Sequence, residues 1–178
     1  MNRAVFLSIL LAAASLAGCD KPSPSSAAAT SETNALSEHV YPTHAQPKLQ
    51  TMKLYLGAEA LDAELALTPD EEETGMMFRT NIQETDAMLF PLPTPQRADF
   101  WMKNCPESIS AAYISPDGVI QEIHHLEKND TNGVQAATDN IRFVLETSDD
   151  WFTRHNVGLG TLILTEKGSL PETFLNGR

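Results

Sequence analysis

Ile109-Ser110-Ala111-Ala112-Tyr113-Ile114-Ser115-Pro116-Asp117-Gly118-Val119-Ile120-Gln121-Glu122-Ile123-His124-His125-Leu126 is two largely apolar segments around a turn. Pro116 presets its own φ, Asp117 bonds its neighbouring backbone, and Gly118 accepts a left-handed conformation at no steric cost. Such a turn between two strand-like runs reads as a β-hairpin. Residues 109–114 and 119–126 are therefore expected as antiparallel neighbours.

The same reasoning extends in both directions. Met52-Lys53-Leu54-Tyr55-Leu56 and Leu61-Asp62-Ala63-Glu64-Leu65-Ala66-Leu67 alternate with period two around Gly57, which predicts a second hairpin. Thr68-Pro69-Asp70-Glu71 has the form of a capping box with proline at the first helical position, so a helix is expected from there to about Phe78. Ala87-Met88-Leu89-Phe90 reads as a short strand, followed by an irregular loop at Pro91, Pro93 and Pro95, where proline cannot donate to a ladder. Residues 99–103 and 141–147 read as further strands, 127–139 as a loop and 149–155 as a short helix. Gly158 and Gly160 precede a last strand at 161–165, and the tail from Glu166 reads as frayed. Short turns rather than helical crossovers join these strands. The expected fold class is α+β: mostly antiparallel β, a small partly closed barrel-like sheet with two short helices.

The N-terminus carries an address. Arg3 gives a short positive region, residues 4–14 form an apolar run broken by Ser8, and Leu16-Ala17-Gly18-Cys19 follows. The run to Ala17 is too short for a spanning helix, which needs roughly 20 apolar residues. Leu16-Ala17-Gly18-Cys19 resembles the lipobox of bacterial lipoproteins. That resemblance implies cleavage before Cys19, lipidation of its sulfur, and anchoring to the extracytoplasmic face of a bacterial membrane. Residues 1–18 are then a signal peptide and 19–50 a lipidated flexible tether rich in Pro, Ser, Ala and Thr. Residues 51–166 form a single domain and 167–178 a tail.

Charge and cysteine content narrow the function classes. Removing residues 1–18 takes away Arg3 alone and leaves 11 Lys+Arg against 24 Asp+Glu, a net charge of −13. That opposes nucleic-acid binding, which neutralises phosphates with basic side chains. With Cys19 lipidated, Cys105 has no disulfide partner, so the fold must rest on its apolar core. His124 and His125 are adjacent and so point to opposite strand faces. No His-x-His, Cys pair or Glu-x-x-His supplies a metal site, and Met52, Met76, Met77, Met88 and Met102 suit core filling better than copper. No cofactor is expected, and no oligomeric state is set.

Three blocks stand together: Gly75-Met76-Met77-Phe78-Arg79, Ala87-Met88-Leu89-Phe90 and Phe100-Trp101-Met102-Lys103-Asn104. With Val144-Leu145-Glu146 and Val157-Gly158-Leu159-Gly160 they resemble the bacterial and archaeal family called domain of unknown function 192. The resemblance spans residues 51–166. Ala87 stands where that family usually has glycine, and Cys105 where it usually has threonine. The resemblance supports the fold class and brings no activity with it.

The candidate site is therefore weighed on its residues. On a strand, Asp99, Trp101 and Lys103 share one face and Phe100, Met102 and Asn104 the other. A carboxylate, an indole and an ammonium in a row suit a small molecule or peptide lying on Trp101. Arg79 either pairs with Glu146 or receives a ligand carboxylate bidentately. Arg79, Asp99, Trp101, Lys103 and Asn104 are the binding candidates, and Cys19 is the lipidation site. The preferred reading is a non-catalytic envelope-anchored binding module. The alternatives are an envelope hydrolase or transferase using Asp99, Lys103 or Cys105, and a structural or accessory lipoprotein.

Overall fold

The computed structural model describes residues 41–175. The signal peptide, Cys19 and the tether up to residue 40 lie outside the described residues.

The first hairpin forms where alternation places it, as β1 (Thr51–Leu56) and β2 (Glu59–Leu65), turning at Gly57 with φ +68°. α1 (Pro69–Thr74) starts on the expected box. The Glu71 N–H donates to Thr68 Oγ1, and the Thr68 N–H donates to the Glu71 carboxylate at 2.9 Å. The helix stops four residues short of Phe78, because Gly75 (φ +44°) and Phe78 (φ +61°) both leave helical space. β3 (Ala87–Gln96) continues past the prolines expected to end it, but residues 92–95 have no partner on the next strand, so the irregularity expected there is present as a bulge within the strand. Its pairing with β2 covers only Ala87, Met88 and Leu89. Pro91, Pro93 and Pro95 share the parity of Leu89, whose carbonyl accepts from Ala66 on the β2 side. Beyond Leu89 that side carries no strand, so the missing donors cost no ladder bond. A register shift against the next strand between Pro91 and Gln96 absorbs the irregularity.

β4 (Asp99–Phe100) is only two residues long and pairs with β7 (Val134–Gln135) in a separate small ladder. β5 (Ile109–Ile114) and β6 (Ile120–Leu126) make the hairpin anticipated around Pro116-Asp117-Gly118. β8 (Ile141–Ser148), α2 (Trp151–Arg154), β9 (Ile163–Thr165), β10 (Gly168–Ser169) and α3 (Leu170–Phe174) complete the described chain.

Eight strands form one sheet in the order β10-β9-β1-β2-β3-β8-β5-β6. Every pairing is antiparallel except β2 with β3, whose parallel connection passes through α1. The far edge curls back toward the near one. Val119 bridges Leu162, the Ile120 N–H donates to the Thr161 carbonyl at 3.0 Å, and the Ile163 N–H donates to the Gly118 carbonyl at 2.9 Å. The result is a mostly antiparallel half-barrel with few short helices.

The sheet is apolar on both faces. Leu54, Leu56, Leu89, Ile114, Phe143 and Leu145 fill the inside of the curl with Trp151 and Phe152. Met88, Phe90, Ala111, Tyr113 and Val144 face outward and are roofed by Met76, Met77, Met102 and Cys105. All eight residues of β8 are consequently buried, which is the pattern of a strand covered on both sides.

Both ends of the domain extend beyond the expected limits. The 167–178 tail was expected to fray. It instead holds β10 and α3, with Leu170 fully buried in the inner core and Phe174 packed against it. Ser169 caps that helix through a second capping box with Glu172. The helices thus number three among the described residues, where two were expected. The last ten residues of the expected tether also lie on the domain. Gln46 Nε2 donates to the Gly75 carbonyl at 2.9 Å, and the Leu49 N–H donates to Glu64 at 2.7 Å.

Candidate functional site

The three sequence blocks converge over the outward face of β3, β8 and β5. The turn that follows α1 brings Gly75, Met76 and Met77 down onto Phe90. Phe100 packs edge-on against Phe90 at 5.2 Å between ring centroids. Gly75 suits its place because its φ of +44° is one that residues with a side chain rarely adopt. The segment after β4 is locked by the Met102 N–H donating to the Asp130 carbonyl at 2.7 Å, and by the Phe78 N–H donating to the Asn104 carbonyl at 2.7 Å. Between α1 and the Phe100–Trp101 segment the roof leaves an open pocket of about 350 Å³.

Phe90, Phe100 and Trp101 give the pocket aromatic walls, and Glu72, Glu73, Asp99 and Glu146 give it carboxyl groups. No lysine, arginine or histidine is among the residues that line it. Glu146 sits on β8 opposite Met88 and Ala111, and is 4 % exposed. Its Oε2 is buried with no hydrogen-bond partner among the described residues. Burial pushes this carboxyl up to about 8, against the pull of the Arg79 charge. Burial also raises Glu72 above the ordinary carboxylate range.

Each residue singled out from the sequence has a definite place. Asp99 and Trp101 both line the pocket. They do not share a strand face with Lys103, because β4 ends at Phe100 and the chain turns. Lys103 lies outside the lining, with Nζ 3.0 Å above the Tyr41 ring centroid and 5.1 Å from that of Trp101. Arg79 opens onto a neighbouring hollow with Gln46, Lys48 and Asp86. Its guanidinium grips Glu64 bidentately at 2.6 and 2.9 Å rather than pairing with Glu146. Burial raises the Glu64 carboxyl, but the bonds from Arg79 and the Leu49 N–H outweigh it and hold the group below its usual range. Asn104 holds a left-handed turn at φ +59°, a conformation asparagine tolerates well, and its Nδ2 reaches only Met77 Sδ at 4.0 Å.

Cys105 touches the pocket but is 5 % exposed, and burial pushes its thiol up to about 12, the opposite of an activated nucleophile. The imidazoles are engaged elsewhere: His124 with Glu122 at 2.9 Å, and His125 with Asp149 at 2.8 Å. Among the described residues no group of three His, Cys, Asp or Glu is placed to hold a metal ion. Glu146 is the residue that sequence reasoning weighed only as an ion-pair partner. Its signal was present, since it directly follows the apolar run Phe143-Val144-Leu145 and shares a strand parity with Val144.

Comparison with known proteins agrees with this architecture. No curated protein matches the chain. A protein of unknown function from Novosphingobium aromaticivorans DSM 12444 superposes with a TM-score of 0.62 at 25% identity, over 67% of this chain and 89% of that one. A candidate transcription regulator from Sinorhizobium meliloti 1021 superposes with a TM-score of 0.63 at 24% identity, over 67% of this chain and 97% of that one. The second likeness shows the fold alone. The family model DUF192, described as "Uncharacterized ACR", matches residues 52–164, which include all three motif blocks and the pocket they build. The chain belongs to the DUF192 family.

Proposed function

We propose that this protein is a lipid-anchored module of the bacterial envelope that binds a small molecule in the pocket between α1 and β4 and performs no chemistry on it. One observation carries the binding reading: Glu146, a carboxyl with an orphaned oxygen, is held almost wholly buried beside a cluster of aromatic rings. A buried polar group without a partner costs about 1–3 kcal/mol, and a ligand that supplies the partner recovers it. A cavity of this size with aromatic walls and a few polar groups suits a small molecule. The anchor rests on Leu16-Ala17-Gly18-Cys19. The acidic balance of the chain opposes a nucleic-acid partner.

Thermal-shift screening of metabolites, sugars and short peptides against the wild type and Trp101→Ala tests the binding. Ligands that raise the melting temperature of the wild type and not of the variant support it; no shift from any of them removes it. Fractionation tests the anchor. Cys19→Ala is expected to move the protein from the membrane to the soluble fraction.

The second reading is an envelope hydrolase or transferase. It is favoured by Glu146 rather than by Lys103 or Cys105, because a carboxyl tuned near neutrality suits general acid catalysis. Turnover of an envelope substrate that is lost in Glu146→Gln would establish it.

A further inference from the structure

The pocket's charge pattern is one-sided. Glu72, Glu73, Asp99 and Glu146 line it and no basic side chain does. Three cations stand within two residues of its walls: Arg79 is paired with Glu64, Arg97 donates to the Ala137 carbonyl at 3.3 Å, and Lys103 lies outside the lining with Nζ over the Tyr41 ring and 5.1 Å from that of Trp101. Phosphates and carboxylates are therefore repelled. Phe90, Phe100 and Trp101 add aromatic rings to the lining, a residue type that attracts cations, as Lys103 over the Trp101 ring illustrates. The acidic groups are not gathered tightly enough to chelate a metal ion, so the complementary charge must be spread over a larger body. Glu146, 4 % exposed and with Oε2 unpartnered, marks where that charge lands.

We infer that the pocket takes an organic cation, an ammonium group carried on a small apolar body, with Glu146 as its counter-charge. The inference rests on the small-molecule reading above and names its ligand class. Arg79, Cys105 on the turn after β4 and Tyr113 on β5 are the ionisable groups electrostatically coupled to Glu146. Arg79 keeps its charge, while burial raises the thiol and the phenol far above neutrality. Of the four, Glu146 is the group that titrates near physiological pH, and it carries its proton when the pocket is empty. Arrival of the ammonium replaces that proton. The neutral carboxyl becomes a carboxylate paired with the cation, and one proton passes to the buffer. Affinity then rises about tenfold per pH unit between pH 6 and 7, as proton linkage requires.

Three near-isosteric probes test this: phenethylammonium, phenethyl alcohol and phenylacetate, each titrated at millimolar concentration while the Trp101 indole N–H resonance is followed by NMR. Phenethylammonium is expected to bind at least about tenfold tighter than either of the others, with the stated pH dependence. Glu146→Gln, which keeps the shape of the neutral carboxyl, is expected to retain alcohol binding and lose both the preference for the amine and its pH dependence. Asp99→Asn, at an exposed position, is expected to weaken the amine severalfold without touching the core. If the alcohol or phenylacetate binds as tightly as the amine, or if Glu146→Gln leaves the preference intact, the cation inference is overturned and the binding reading stands. If none of the three perturbs Trp101, both fall.

Discussion

At the scale of single residues, three side chains carry separable consequences. Glu146 keeps its proton to about pH 8 in the fold, whereas an unfolded chain releases it near its ordinary value of 4.5. Below the lower value both states are protonated and no penalty exists. Between the two, the native state binds more protons, so stability falls as pH rises, and the loss is complete above about 8. Urea midpoints of the wild type at pH 5 and pH 8 are expected to differ by more than those of Glu146→Gln, whose amide cannot ionise. Arg79 and Glu64 behave as a partly buried ion pair in which neither charge has another strong partner of opposite sign among its hydrogen bonds. Arg79→Ala strands the Glu64 charge and is expected to cost about 3 kcal/mol in urea unfolding. Cys105, with its thiol raised and covered, is expected to react with Ellman's reagent in the native protein only after unfolding. Fast native labelling at pH 8 would reopen the nucleophile reading.

At the scale of elements, the β4–β7 ladder sets the position of the pocket's acidic rim. A β-carbon on Gly133, just before β7, would collide with the Asp99 carboxylate. Gly133→Ala is expected to displace Asp99 and weaken binding of phenethylammonium severalfold. The melting temperature should change little, since this ladder is only two residues long. The elements legible in the sequence are those whose causes are local. Both hairpins follow from turn residues and alternation, and α1 follows from Thr68, Pro69 and Glu71. The same capping rule read at Ser169-Leu170-Pro171-Glu172 would have placed α3, so that omission was not forced by the sequence. The causes of the remainder are not local. Whether Pro91, Pro93 and Pro95 end a strand depends on how far β2 runs beside it. Whether residues 99–103 stay extended depends on the Asp130 carbonyl that captures Met102. That Trp101 and Asp99 fall close together was legible, because they stand two residues apart around Phe100, and both line the pocket. The binding partner of Arg79 was not, because two glutamates at distant positions could reach it and only the packing of β2 chooses Glu64.

At the scale of the whole molecule, the sheet is finished by its last described residues. Leu170 sits fully buried in the inner core, against the edge where Gly118 meets Ile163. Leu170→Ala is expected to cost about 3 kcal/mol in urea unfolding, and truncation after Lys167 at least as much. A truncated chain as stable as the full one would show that α3 is dispensable. The order of the strands also dictates a timetable. β1 finds β2 within a few residues, but its other edge waits for β9, with Leu54 opposite Thr165. A chain emerging from the ribosome or through a translocation pore can form its hairpins early, yet its first strand stays half-unpaired until nearly the whole domain has arrived. Pairings so distant along the chain slow folding. This domain should therefore reach its native state only after release of its C-terminus, and until then it offers the open edge of β1 to any holding chaperone.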